Sequence, residues 1–170
     1  MPPPLHLDPS GLDFSRVLAG PDDIRRVNPQ RFEMEQLSAI VHIDREQHLV
    51  VGYKDVRADE FWVRGHMPGY PLLPGVLMCE AAAQLVSFYI IHIGFRTGDF
   101  IGFGGMEEVR FRGLVRPGDR LVLMGKGLRV HRRQARFHCQ GFVGPTMVFH
   151  GEIIGVQLTT SRLVAGEPES

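Results

Sequence analysis

The longest apolar run in the chain extends from Val76 to Ile93. It is apolar nearly all round and stops at Gly94, a suitable left-handed C-cap, so it predicts one long helix buried at the centre of the fold. Before it, Gln36 to Ile43 and His48 to Val56 read as two β-runs joined by the polar link Asp44-Arg45-Glu46-Gln47, a candidate hairpin. After it come four more strand-like runs, near Met106 to Val115, Arg120 to Val130, Gln134 to Val143 and Thr146 to Leu158. Pro117-Gly118-Asp119 and Gly144-Pro145 punctuate them as turns. Two strands, a helix and then several antiparallel strands make an α+β pattern, a sheet wrapped around one helix.

The flanks are of another kind. Residues 1–28 mix Pro, Gly and Asp with short apolar pieces such as Leu12-Asp13-Phe14, and read as an N-terminal arm with one or two helical turns and no chemistry of its own. The single domain is expected over 29–160, followed by a polar tail over 161–170.

Composition narrows the class without naming it. Hydrophobic residues make up 44% and charged residues 22%, with nineteen basic and nineteen acidic side chains, so no global field draws the chain to nucleic acid or an anionic membrane. Glu80, Gln84 and His92 interrupt the Val76 run, which argues against a membrane span. The two cysteines, Cys79 and Cys139, have no CxxC spacing and suit reduced thiols in a cytoplasmic protein. The start of the chain lacks a basic stretch followed by an apolar run, so secretory targeting is not expected. No HExxH, GxSxG or GxGxxG pattern is present, and neither metal nor cofactor is expected; Gly102-Phe103-Gly104-Gly105 reads as a bulge or tight loop.

Chemistry concentrates between Glu60 and Gln84. The prolines and glycines after His66 stiffen a loop and let a ligand approach its main chain. Glu80 and Gln84 stand four apart, hence on one helix face, where the amide can orient the carboxyl. A carboxyl on an apolar helix is costly to bury, which suits a general acid with a histidine nearby as base. The backbone N–H of Gly75, at the positive end of the helix, suits a developing oxyanion. Singly, a loop histidine or a helix glutamate is more often structural than catalytic; together with the rigid loop they point to proton transfer next to a thioester carbonyl.

The same segment closely resembles the signature of the FabZ-type β-hydroxyacyl-acyl carrier protein dehydratases, Gly-His-Phe-Pro-Gly-x-Pro-x-x-Pro-Gly-Val-Leu-x-x-Glu-Ala-x-Ala-Gln. It stands here as Gly65-His66-Met67-Pro68-Gly69, Pro71, Pro74-Gly75-Val76-Leu77, Glu80-Ala81 and Ala83-Gln84. Asn28 to Phe32, Val109 to Arg112 and Val115 to Asp119 are similar to further segments of that family. The resemblance implies a hot dog fold, elimination of water from 3-hydroxyacyl thioesters held on acyl carrier protein, and no cofactor. It also implies a dimer or a trimer of dimers, in which the histidine of one chain faces the glutamate of its neighbour. By it His66 and Glu80 are catalytic, Gly75 binds the thioester oxygen and Gln84 supports them.

Met67, Phe61 and Ile101 are the candidates for the substrate tunnel; Met67 stands where relatives have Phe, and Ile101-Gly102 where they often have tyrosines. Arg132 and Arg133, within the basic run Arg129, His131, Arg132, Arg133, Arg136, are the candidates for contact with an acidic carrier protein. A thioesterase, a CoA-thioester hydratase and a non-catalytic acyl-binding subunit are the competing readings.

Overall fold

The computed structural model describes residues 1–160. The polar tail expected over 161–170 lies outside the described residues.

Six strands form one antiparallel sheet: β1 (Ala39–Asp44), β2 (Leu49–Asp55), β3 (Phe100–Phe111), β4 (Arg120–Val130), β5 (Gln134–Val143) and β6 (Thr146–Leu158). Their order across the sheet is β1-β2-β4-β5-β6-β3. The sheet wraps one long helix, here called α2 (Gly75–His92), while α1 (Pro21–Val27) precedes β1. This is the hot dog architecture. The predicted hairpin is β1–β2, paired Asp44 to Leu49 at its turn end.

The sequence dictates these elements locally. Gly94 takes φ +81 just past α2, and Phe95 N–H donates to the Ile90 carbonyl at 3.0 Å, a Schellman cap that turns Phe95 back onto the core. Arg116 to Asp119 is a turn closed by Asp119 N–H to the Arg116 carbonyl at 3.0 Å, with Pro117 pre-setting the chain and Gly118 at φ +96. The helix face of the sheet packs Ile40, Val50, Leu121, Leu123, Phe137 and Ile153 against Leu85, Val86 and Tyr89. Gly52 and Gly125 admit the helix. A Cβ on Gly52 would lie 2.7 Å from the Ala39 carbonyl oxygen and 3.0 Å from Leu85, and one on Gly125 would lie 2.8 Å from Val86.

One strand begins earlier than the sequence pattern indicates. β3 starts at Phe100, so Gly102 to Gly105 lie within it, and a register shift between Phe103 and Gly105 is the bulge expected there. β6 crowds Gly102 through Leu158 and Gly104 through Val156, where a Cβ on Gly104 would stand 2.7 Å from the valine. Residues 112–115, expected to extend this strand, lie beyond its end.

The arm is not a loose appendage. Leu7, Leu12 and Phe14 pack on the outer face of the sheet against a second apolar cluster of Ala39, Val41, Val51, Tyr53, Val122, Met124 and Phe142. Leu18 and Ala19 bond to Ile40, which covers the start of the free edge of β1. The edge of β3 has no such cover among the described residues.

Candidate active site

His66 sits in the loop between β2 and α2. Its backbone N–H donates to the Trp62 carbonyl at 2.8 Å, and its carbonyl accepts from Leu72 N–H at 2.9 Å. The His66–Met67 peptide is cis. The ring Nδ1 lies 2.9 Å from the Leu72 carbonyl oxygen. A carbonyl can only accept, so Nδ1 carries the proton of the neutral ring and Nε2 keeps its lone pair.

Glu80 lies on the second turn of α2, partly exposed on a mostly buried helix. Its Oε1 accepts from Gln84 Nε2 at 2.8 Å. Gln84 is itself fixed: Nε2 also donates to the Met34 carbonyl at 2.7 Å, and Oε1 accepts Gln36 N–H at 3.0 Å. With one N–H on one side and two acceptors on the other, the amide has a single orientation. It therefore presents a donor to Glu80 Oε1 and makes no bond to Oε2.

Gly75 opens α2. A Cβ there would lie 2.8 Å from the Phe111 ring, so glycine at position 75 lets the helix N-terminus meet the end of β3 without moving that ring. Its N–H belongs to the first turn and has no intrahelical partner. Within one chain His66 and Glu80 are not hydrogen-bonded to each other; each ring or carboxyl partner is a local one.

The other sequence candidates are dispersed. Phe61 is exposed and lines a cavity of about 490 Å³ that reaches neither Met67 nor Ile101. Met67 is exposed on the loop, and Ile101 packs on the helix-side core from β3. Arg132 and Arg133 are exposed at the β4–β5 turn, beyond the C-terminal end of α2 and so at the far end of that helix from Gly75. Arg136, counted with them in the basic run, is instead bridged to Glu107 at 2.7 Å and Glu152 at 2.6 Å. The sequence reading missed the backbone partners that aim the site: the carbonyls of Leu72 and Met34 and the N–H of Gln36. Backbone groups have no letter in the sequence; the similarity of residues 28–32 to the family was the one signal pointing to that region.

The structure defines a hot dog protein with a histidine on the loop before its central helix and a glutamate on that helix. The FabA-like domain family matches residues 28–152, and the chain belongs to that family. It is 32% identical over 131 residues to the 3-hydroxyacyl-[acyl-carrier-protein] dehydratase FabZ of Moorella thermoacetica, covering 77% of this chain and 91% of that protein.

Among solved structures, the dehydratase heterocomplex ApeI:P from Xenorhabdus doucetiae superposes with a TM-score of 0.71 at 16% identity, over 84% of this chain and 95% of that one. A sigma28-regulated virulence protein from Campylobacter jejuni gives 0.61 at 19% identity, over 83% and 94%. A thioesterase superfamily member from Thermus thermophilus gives 0.58 at 16%, over 70% and 87%. These structural likenesses carry the fold alone, since one fold serves several reactions.

Proposed function

We propose that the protein is a (3R)-hydroxyacyl-[acyl carrier protein] dehydratase, forming trans-2-enoyl thioesters in the cytoplasm for fatty acid or related lipid synthesis. The observation that carries this reading is the Nδ1 contact of His66 with the Leu72 carbonyl, which leaves Nε2 as a base. Nε2 takes the α-proton of the thioester; Glu80 Oε2 gives its proton to the departing 3-hydroxyl; the C–O bond breaks, the double bond forms and water leaves. Gly75 N–H, beside the positive end of α2, holds the thioester oxygen as it gains charge. Transfer of the proton from His66 back to Glu80 resets the pair.

The working unit in this reading is a dimer, or a trimer of dimers, with His66 of one protomer facing Glu80 of its neighbour. Two features support it. The pair is unconnected within a chain, and the uncovered β3 edge carries Phe103, Met106 and Phe111, each close to half exposed, with Val76 and Met67 also exposed nearby in sequence to the site. Phe61, Met67 and Ile101 would reach a common acyl tunnel only once the partner is in place.

Purified protein incubated with crotonyl-acyl carrier protein, and separately with crotonyl-CoA, tests the reaction. Loss of enoyl absorbance without thiol release is expected. Thiol release would mean a thioesterase, a preference for the CoA substrate would mean a hydratase, and no change with either would mean a binding protein. The carrier contact has its own test: Arg132→Glu with Arg133→Glu is expected to raise KM for the carrier-linked substrate about tenfold at low salt and progressively less as salt rises. Kinetics unchanged at every salt concentration would remove the two arginines from carrier docking.

A further inference from the structure

We propose that a buried ion pair, Lys54 with Glu60, positions the base of the reaction through Trp62; the proposal rests on the dehydratase reading above. Lys54 projects from β2, and its Nζ lies 2.8 Å from Glu60 Oε2 with the two side chains 6% and 9% exposed. Glu60 also accepts Arg57 N–H on Oε1 at 2.9 Å and the Trp62 indole N–H on Oε2 at 3.0 Å. Burial alone would raise its pKa, but these three donors outweigh burial and hold it below the usual carboxylate range. Trp62 is buried at 4% exposure, and its carbonyl receives both Gly65 N–H at 3.1 Å and His66 N–H at 2.8 Å. One unbroken line of contacts thus runs from the sheet to the backbone of His66.

Beyond Trp62 the loop has little packing of its own. Arg64, Gly65, Met67, Pro68, Gly69 and Tyr70 are all exposed. Its shape is set at two fixed points: Trp62 on one side, and Leu72 and Leu73 on the other, where Leu73 N–H bonds to the Val115 carbonyl at 2.8 Å. Leu72 aims the ring; Trp62 sets where the ring starts from. A buried ion pair is a poor way to gain stability, because desolvating both charges offsets most of their attraction. Its directional bonds do fix geometry, and a misplacement of about 1 Å in a catalytic group costs about a hundredfold in rate. Lys54 and Glu60 touch no reacting atom, so theirs is a positioning role.

The test is Lys54→Met combined with Glu60→Leu, which keeps the volume and leaves no unpaired buried charge. In the folded variant kcat for crotonyl-acyl carrier protein is expected to fall at least about tenfold with KM within about twofold. The His66 Nδ1–H resonance, read by nitrogen-15 NMR, is expected to weaken as the ring loses its single tautomer. Lys54→Gln combined with Glu60→Gln, which removes both charges and keeps hydrogen-bonding groups at both positions, is read in the same way if the first double variant does not fold. Unchanged kcat, or a loss of kcat that tracks thermal stability while the Nδ1–H resonance stays as in the wild type, would overturn the proposal. A wild type that turns over neither thioester would end the dehydratase reading alone, since the resonance still reports on the anchor.

Discussion

Replacing His66 by Ala or Glu80 by Gln lowers kcat by about 10²–10⁴-fold each, the range over which acid and base groups contribute, while the far-ultraviolet spectrum and melting temperature stay near wild type. The structural cost is small for physical reasons. His66 is only half-buried, and among the described residues its ring makes a single hydrogen bond, to Leu72. The amide introduced by Glu80→Gln would still accept the Gln84 donor through its own oxygen, in the place where Glu80 Oε1 now does. His66→Ala removes the lone pair that accepts the α-proton, and Glu80→Gln removes the proton given to the hydroxyl. The two losses are not additive, because neither half of the proton exchange proceeds without the other.

Mixing the two dead variants after refolding gives a sharper outcome. If each site takes its base from one chain and its acid from the next, half of the dimers are mixed and each holds one whole site, so about a quarter of wild-type activity returns. A site complete within one chain would return none. Turnover near wild type in either single variant would remove that residue from the chemistry.

Most of the fold was legible because burial in it follows simple periods. α2 is apolar on all sides and therefore central, and β4, β5 and β6 are delimited by Gly118 and Gly144, both at positive φ. The start of β3 was not legible. Glycine has low strand propensity, yet Gly104 is required by the side chain of Val156 on the neighbouring strand, a contact made about fifty residues away in sequence. Arg136 misled for the same reason, since its neutralising partners Glu107 and Glu152 come from two other strands. At the site, the side chains His66, Glu80 and Gln84 were readable, whereas the carbonyls and N–H groups that aim them come from the chain's path. Lys54 and Glu60 carried a visible charge each, but only burial distinguishes a structural pair from two solvated side chains.

The arm was read from the sequence but its packing was not, and that packing carries the second large effect. Deleting residues 1–17 is expected to destabilise the protein by about 4 kcal/mol, lowering the melting temperature by roughly 8–16 °C. Leu7, Leu12 and Phe14 are each partly buried on the outer cluster, and the deletion also exposes Tyr53 and Phe142 beneath them. Fully buried Gln140 loses both of its arm partners, the Pro4 carbonyl at 2.8 Å and His6 N–H at 3.1 Å. The guanidinium of Arg120, 3.9 Å above the Tyr53 ring and 5.5 Å from Phe14, keeps only the former contact.

The hold of the arm also depends on pH, with a sign that follows from burial. His6 Nε2 is 2.8 Å from His138 Nδ1, and burial followed by the neighbouring His138 pushes the His6 pKa from 6.5 down to about 4. His138 and His150 are lowered as well, again chiefly by burial. Glu152 opposes the shift at His138, while Arg112 adds to it at His150 and Lys126 at His6. Between pH 6.5 and about 4 the unfolded chain therefore binds protons that the folded one refuses. Stability is full above pH 6.5 and falls as pH drops toward 4, so the melting temperature of the wild type should decline over that window. His6→Gln should flatten the decline, and an unchanged slope in that variant would mean that the histidine contact does not hold the arm.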